Sequence, residues 1–154
     1  MRSRLLHEVA GLRTFVVVMD KGDDAAEELA RFARDNAVTG AGLTAVGACR
    51  EATLAYFDRE EMTYQDIPVT EQAEVLSMLG DIAVQPGRSG SGQDEPALHV
   101  HAVLGLRDGS TVGGHVRRAV VWPTLEVVVT ESPAHLRKRV DEETGLALIR
   151  LDVS

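Results

Sequence analysis

Only one cysteine, Cys49, is present, so no disulfide can form within the chain and folding rests on burial and hydrogen bonding. The first residues, Met1 to His7, lack the apolar run of a secretory signal, and no stretch approaches the roughly 20 apolar residues of a membrane helix. The expected compartment is therefore the cytoplasm, with no membrane partner. Cations are also in short supply. With 16 lysines and arginines against 24 acidic residues, the formal net charge is −8, so tight duplex binding would need a local basic patch. The candidates are Arg117-Arg118 and Arg137-Lys138-Arg139, and short runs of this kind are ordinarily solvated faces. Ser-His-Asp order, nucleophile elbow, phosphate loop, Cys-His pairing and internal repeats are all missing. Cys49 reads as buried packing.

What is present describes one globular domain over residues 1–154, with 44% apolar and 26% charged residues. Leu12 to Met19 has the β-branched character of a strand. Asp23 or Asp24 then starts a helix, with Glu27 placed for a capping box, Leu29, Phe32 and Ala33 on one face, and an end near Asn36. Leu43 to Cys49 follows as a strand, giving a β-α-β opening. Thr53 to Phe57 and Met62 to Val69 read as a strand pair. Glu74 to Val84 fits either strand or helix spacing. Residues 85–96 are polar and glycine-rich and are expected to form a flexible loop. Leu98 to Leu106 and Thr111 to Val121 flank Asp108-Gly109, a hairpin signal. Leu125 to Thr130 is a further strand, Pro133 to Val140 a short helix or irregular segment, and Leu146 to Val153 a closing strand. Strands dominate with at least one helix, so the class is α+β.

Three of the five histidines fall close together, in Leu98-His99-Val100-His101 and Gly113-Gly114-His115. Alternation along a strand puts His99 and His101 on one face, roughly 6 to 7 Å apart at Cα. A two-residue turn at Asp108-Gly109 would pair His115 with Ala102 and point it away from His101. An extra residue at a Gly113-Gly114 bulge would restore the shared face. Three neutral imidazoles with a fourth position open suit zinc, and iron, nickel or copper also accept imidazole. H-x-H pairs also arise by chance, so spacing alone leaves open two strand histidines and an unrelated third. His7 and His135 have no such neighbours and read as surface residues.

Leu98-His99-Val100-His101-Ala102, Arg107-Asp108-Gly109 and Gly113-Gly114-His115 together resemble the bacterial and archaeal branch of the PPC (plants-and-prokaryotes-conserved) domain family. Further matches run through Gly40 to Leu43, Ala45 to Ala48, Leu54 to Asp58, Glu74 to Gly80, Pro123 to Glu126 and Glu143 to Leu146. The resemblance implies a mainly antiparallel sheet with flanking helices, a homotrimer, and strand structure over Glu74 to Val84. It also implies that His99, His101 and His115 form a metal site, zinc first among the candidates. Met78-Leu79 and the long 85–96 segment depart from the usual pattern. Plant members carry an AT-hook; here Pro86-Gly87-Arg88 lacks its second arginine and trailing proline.

Two functions follow as expectations. One is a trimeric metal-binding protein that takes a small ligand, with Glu74 the carboxylate to watch as base or outer-shell partner; whether it is an enzyme stays open. The other is a DNA-associated regulatory protein, for which no residue is singled out as contacting nucleic acid. A purely structural interaction module is a third reading.

Overall fold

A computed structural model of the chain describes residues 1–87, 94–132 and 134–151. The order of elements is β1 (Arg2–Val9), β2 (Leu12–Met19), α1 (Ala25–Asp35), β3 (Ala41–Asp58), β4 (Thr63–Val69), β5 (Ala73–Pro86), β6 (Asp94–Gly105), β7 (Thr111–Glu131), β8 (Lys138–Val140) and β9 (Ala147–Ile149). Where the resemblance implied several flanking helices, α1 is the one α-helix among the described residues.

Helix α1 begins as its sequence dictates. Asp24 stays extended, and its Oδ1 accepts hydrogen bonds from the Ala26 and Glu27 amides, partners the first turn cannot find within itself. The helix then buries Leu29, Phe32 and Ala33 against β6 and β7, with Phe32 meeting Phe15 of β2 edge to face at 5.2 Å. Leu29 and Phe32 each contribute roughly 1.5 to 3 kcal/mol by leaving water, and the methyl of Ala33 less.

Seven strands form one antiparallel sheet in the order β1-β2-β7-β6-β5-β3-β4, and β7 pairs with β3 as well. The ladder therefore closes through β3, β5, β6 and β7. Both β2 and β3 run antiparallel to β7, hence parallel to each other with β7 inserted between them. The expected β-α-β opening is thus a split crossover. Glu74 to Val84 lies in a strand, β5, as the family resemblance implied. The two strands expected over 43–57 are one 18-residue strand, and those over 111–130 one 21-residue strand.

Several expectations need correcting. β1 was not foreseen, because Arg2, Arg4 and Glu8 leave no apolar alternation on an edge strand that is exposed throughout. The loop expected over 85–96 is narrower: Gln85 pairs with Glu95 and Pro86 with Asp94, and residues 88–93 lie outside the described residues. The short helix considered for 133–140 is absent from its described part, which ends in β8. In the described part of the expected closing strand, Ala147–Ile149 pairs with β8, and residues 152–153 lie outside the described residues.

Candidate metal centre

His99, His101 and His115 converge, with one ring nitrogen from each within 4.8 Å of the others. The register of the hairpin explains why. His101 lies directly opposite His115, and Gly105 opposite Thr111, with no interruption between them. The parity correction expected at Gly113-Gly114 is made instead in the turn. Leu106 and Ser110 close the hairpin, Gly109 donates its amide to the Leu106 carbonyl, and Gly109 sits at φ +85°. A three-residue loop, Arg107-Asp108-Gly109, thus supplies the extra position, with glycine in the left-handed conformation that closes such loops. Asp108 Oδ1 accepts from the Ser110 amide and hydroxyl and braces the turn.

The glycine before His115 has another purpose. A Cβ on Gly114 would lie 2.8 Å from the Ala55 carbonyl oxygen and 3.3 Å from Leu54 Cβ, so only glycine lets β3 approach here. That approach marks a fork in the sheet. At His115, β7 pairs with both β6 and β3; beyond it, β7 leaves β6, stays with β3, and from Leu125 takes β2 on its other side. A cavity of about 430 Å³ is lined there by His99, His115, Tyr64, Gln85, Lys138 and the apolar Leu98 and Leu148, among others.

The donors are oriented for coordination. Nε2 of His99 and Nε2 of His101 are 3.1 Å apart, close to the roughly 3.3 Å that tetrahedral zinc with nitrogens at about 2.0 to 2.1 Å would set. His115 is half-buried, stacked on Tyr64 at 5.0 Å between ring centroids, and its Nδ1 is buried without a hydrogen-bond partner among the described residues. Burial, with the other two histidines next, brings its pKa down to about 4. Burial also lowers that of His99, aided by Lys138 and opposed by Asp81. Both imidazoles are therefore neutral near pH 7, the form that ligates metal. The residues fit a divalent ion by donor type and spacing.

Glu74 is not part of this group. It is exposed on β5 opposite Gly105 and borders a separate cavity with Glu71, Gln72, Leu106 and Arg107, since the register carries it to the far end of β6. The carboxylate beside the histidines is Asp81, whose Oδ2 lies 3.7 Å from His99 Nδ1. Sequence reasoning missed it; the signal was the cross-strand pairing of Asp81 with His99, unreadable until register is known. His7 and His135 are exposed, as expected. Cys49 is buried, which pushes its thiol pKa up and makes it a poor nucleophile.

The basic runs are largely occupied by acids. Arg117 pairs with Asp66 at 2.9 Å, Arg118 with Glu51 at 2.9 Å and Asp24 at 3.4 Å, Arg137 with Asp94, and Lys138 with Asp81. No helix among the described residues is long and apolar enough to cross a membrane.

Fold and site together define a mainly antiparallel β-sheet protein with one covering helix and a three-histidine cluster at a fork in its sheet. Residues 6–133 match the Plants and Prokaryotes Conserved (PCC) domain, and the chain belongs to that family. Solved structures agree. A metal-containing protein from Archaeoglobus fulgidus is 30% identical, with a TM-score of 0.79 over 97% of this chain and 99% of its own. A plant- and prokaryote-conserved (PPC) protein from Pyrococcus horikoshii is 24% identical over 90% and 91%, with a TM-score of 0.80. A candidate DNA-binding protein from Ralstonia eutropha is 25% identical over 89% and 90%, with a TM-score of 0.78. No curated protein matches the sequence.

Proposed function

We propose that the chain binds one divalent metal ion, zinc first among the candidates, through His99, His101 and His115, and that the adjoining cavity takes a small-molecule ligand. The observation that carries this reading is the convergence of three imidazole nitrogens within 4.8 Å, with the buried Nδ1 of His115 lacking a hydrogen-bond partner among the described residues. A buried polar nitrogen left unmade costs roughly 1 to 3 kcal/mol, and a function for the site offsets that penalty. The metal-containing relative from Archaeoglobus fulgidus supports it. A bound ion would supply Lewis acidity to a water or carbonyl placed in the cavity. Elemental analysis of the purified protein should find about one divalent ion per chain. Apoprotein that takes up no zinc, nickel or iron at millimolar concentration would reject the reading.

A homotrimer is part of the same proposal. Val46, Leu76, Leu79 and Val128 are 43% to 57% exposed and share one apolar surface with Val16, a patch that a lone soluble subunit rarely leaves uncovered. Light scattering should give three times the chain mass, and a monomer at micromolar concentration would dismiss assembly.

The second reading, a DNA-associated regulator, is favoured by the name of the Ralstonia eutropha relative. The net charge of −8 and the paired arginines weigh against it. Binding to duplex DNA should be weak, non-selective and lost by about 200 mM salt, because few free cations remain to displace counterions. A sub-micromolar, sequence-selective complex near physiological salt would reverse the ranking.

A further inference from the structure

We infer that Asp81 and Lys138 are positioning residues of the histidine centre, Asp81 holding His99 through its Nδ1–H and Lys138 holding Asp81, so that the β8–β9 hairpin is part of the site. This rests on the metal-binding reading above.

His99 directs Nε2 at His101, so Nε2 is the nitrogen that faces the cluster and Nδ1 is left on the outer side. Asp81 lies opposite His99 in the β5–β6 ladder and presents Oδ2 to that Nδ1 at 3.7 Å. At this separation the contact is a charge–dipole attraction that favours the Nδ1–H tautomer rather than a formed hydrogen bond. A carboxylate on the outer nitrogen of a ligating histidine fixes the ring's tautomer and orientation and raises its basicity. The other oxygen of Asp81 is taken by Lys138, whose Nζ is 2.6 Å from Oδ1, an ion-pair contact without the alignment of a directed hydrogen bond.

Lys138 is 3% exposed, the one buried charged residue among the described residues. Removing an ammonium from water is costly and only a partner offsets that cost, so its position calls for a reason. The backbone puts it there. The Val84 amide donates to the Leu136 carbonyl at 2.8 Å and Val84 bridges Arg137, fastening this segment along β5, while Lys138 pairs with Ile149 of β9. Leu146, Ala147 and Leu148 of the same hairpin line the cavity. Leu136, Arg137, Lys138 and the cavity-lining residues 146–148 all lie beyond the 6–133 stretch that matches the family domain. The C-terminal hairpin thus both walls the cavity and supplies the cation that aims the carboxylate.

The test uses the full chain, stripped with chelator and titrated with zinc, in four forms: native, D81N, K138M and the double variant. Native protein should take up one zinc. D81N should bind about 10- to 100-fold more weakly. K138M should also weaken binding, and the double variant should match D81N, because Lys138 acts only through Asp81. Nitrogen-15 NMR of the metal-free protein gives an independent readout: His99 should be the Nδ1–H tautomer in the native chain and lose that preference in D81N. Native protein that binds no zinc rejects the metal reading itself. Native uptake with unchanged affinity and His99 tautomer in D81N overturns only the present inference. A K138M loss that persists in the D81N background removes Lys138 from it. Thermal melts identify any variant that has not folded, for which D81E, retaining the charge, should recover affinity over D81N.

Discussion

Two cavities of similar size sit near opposite ends of the β5–β6 ladder, about 430 Å³ beside the histidines and about 450 Å³ beside Glu74. Their linings differ in kind. At the histidine end, donors from two strands point at one spot, His115 is half-buried, and a carboxylate and a buried lysine stand behind His99. At the other end, Glu71 and Glu74 are exposed and free to stay in water. Volume does not separate the two. What separates them is convergence of imidazole donors under partial burial, which the solvated acids of the second cavity lack.

The largest expected effect tests that contrast directly. His115→Ala should remove nearly all bound metal, with His99→Ala and His101→Ala close behind and the combinations no worse than the worst single change, because the three act as a unit. Glu74→Gln should leave the metal content untouched. Elemental analysis of the four variants decides, and retention of full occupancy in His115→Ala would erase the distinction between the two cavities.

A smaller effect comes from the backbone that sets up the histidine end. Gly114→Val places a side chain where 2.8 Å separates a Cβ from the Ala55 oxygen, so the β3–β7 contact must open. A loss of about 1 to 3 kcal/mol in stability is expected, with weaker metal uptake although no ligand is altered. Gly109→Ala meets no neighbouring atom and costs only the strain of its φ of +85°, about 1 kcal/mol. Denaturant melts should rank the two in that order.

The pH response of metal-free protein tests the histidine end without any substitution. His115 has a folded pKa of about 4 against an ordinary value near 6.5, so the unfolded chain takes up its proton first as pH falls. The associated stability is complete above pH 6.5 and is lost progressively down to about pH 4, after which this group contributes no further change. His115→Gln should flatten that part of the profile, while Glu74→Gln should not.

Much of this was legible from single residues. The Asp24 cap, the Leu29, Phe32 and Ala33 face, and the shared side of His99 and His101 depend on local periodicity, which sequence carries directly. The facing of His115 depended on the length of one turn. Asp108-Gly109 fits a two-residue loop as well as a three-residue one, and the choice was settled by Leu106 pairing with Ser110. Placing the needed extra residue at Gly113-Gly114 had the right parity and the wrong position. Asp81 and Lys138 were out of reach for a different reason: one waits on the register of β5 with β6, the other on where a short terminal hairpin docks. β1 was invisible because an exposed edge strand has no buried face to impose a pattern.

The 21-residue span of β7 also bears on how the molecule is made. It joins partners from early, middle and late parts of the chain, with Val129 beside Phe15 and Ala119 beside Ala52. Contacts so distant in sequence close slowly, on the order of milliseconds to seconds for strand-rich domains. The histidines escape that delay, because His99 and His101 meet His115 across the β6–β7 hairpin, whose strands are joined by three residues. Zinc bound at that stage would speed refolding as well as slow the escape from the native state.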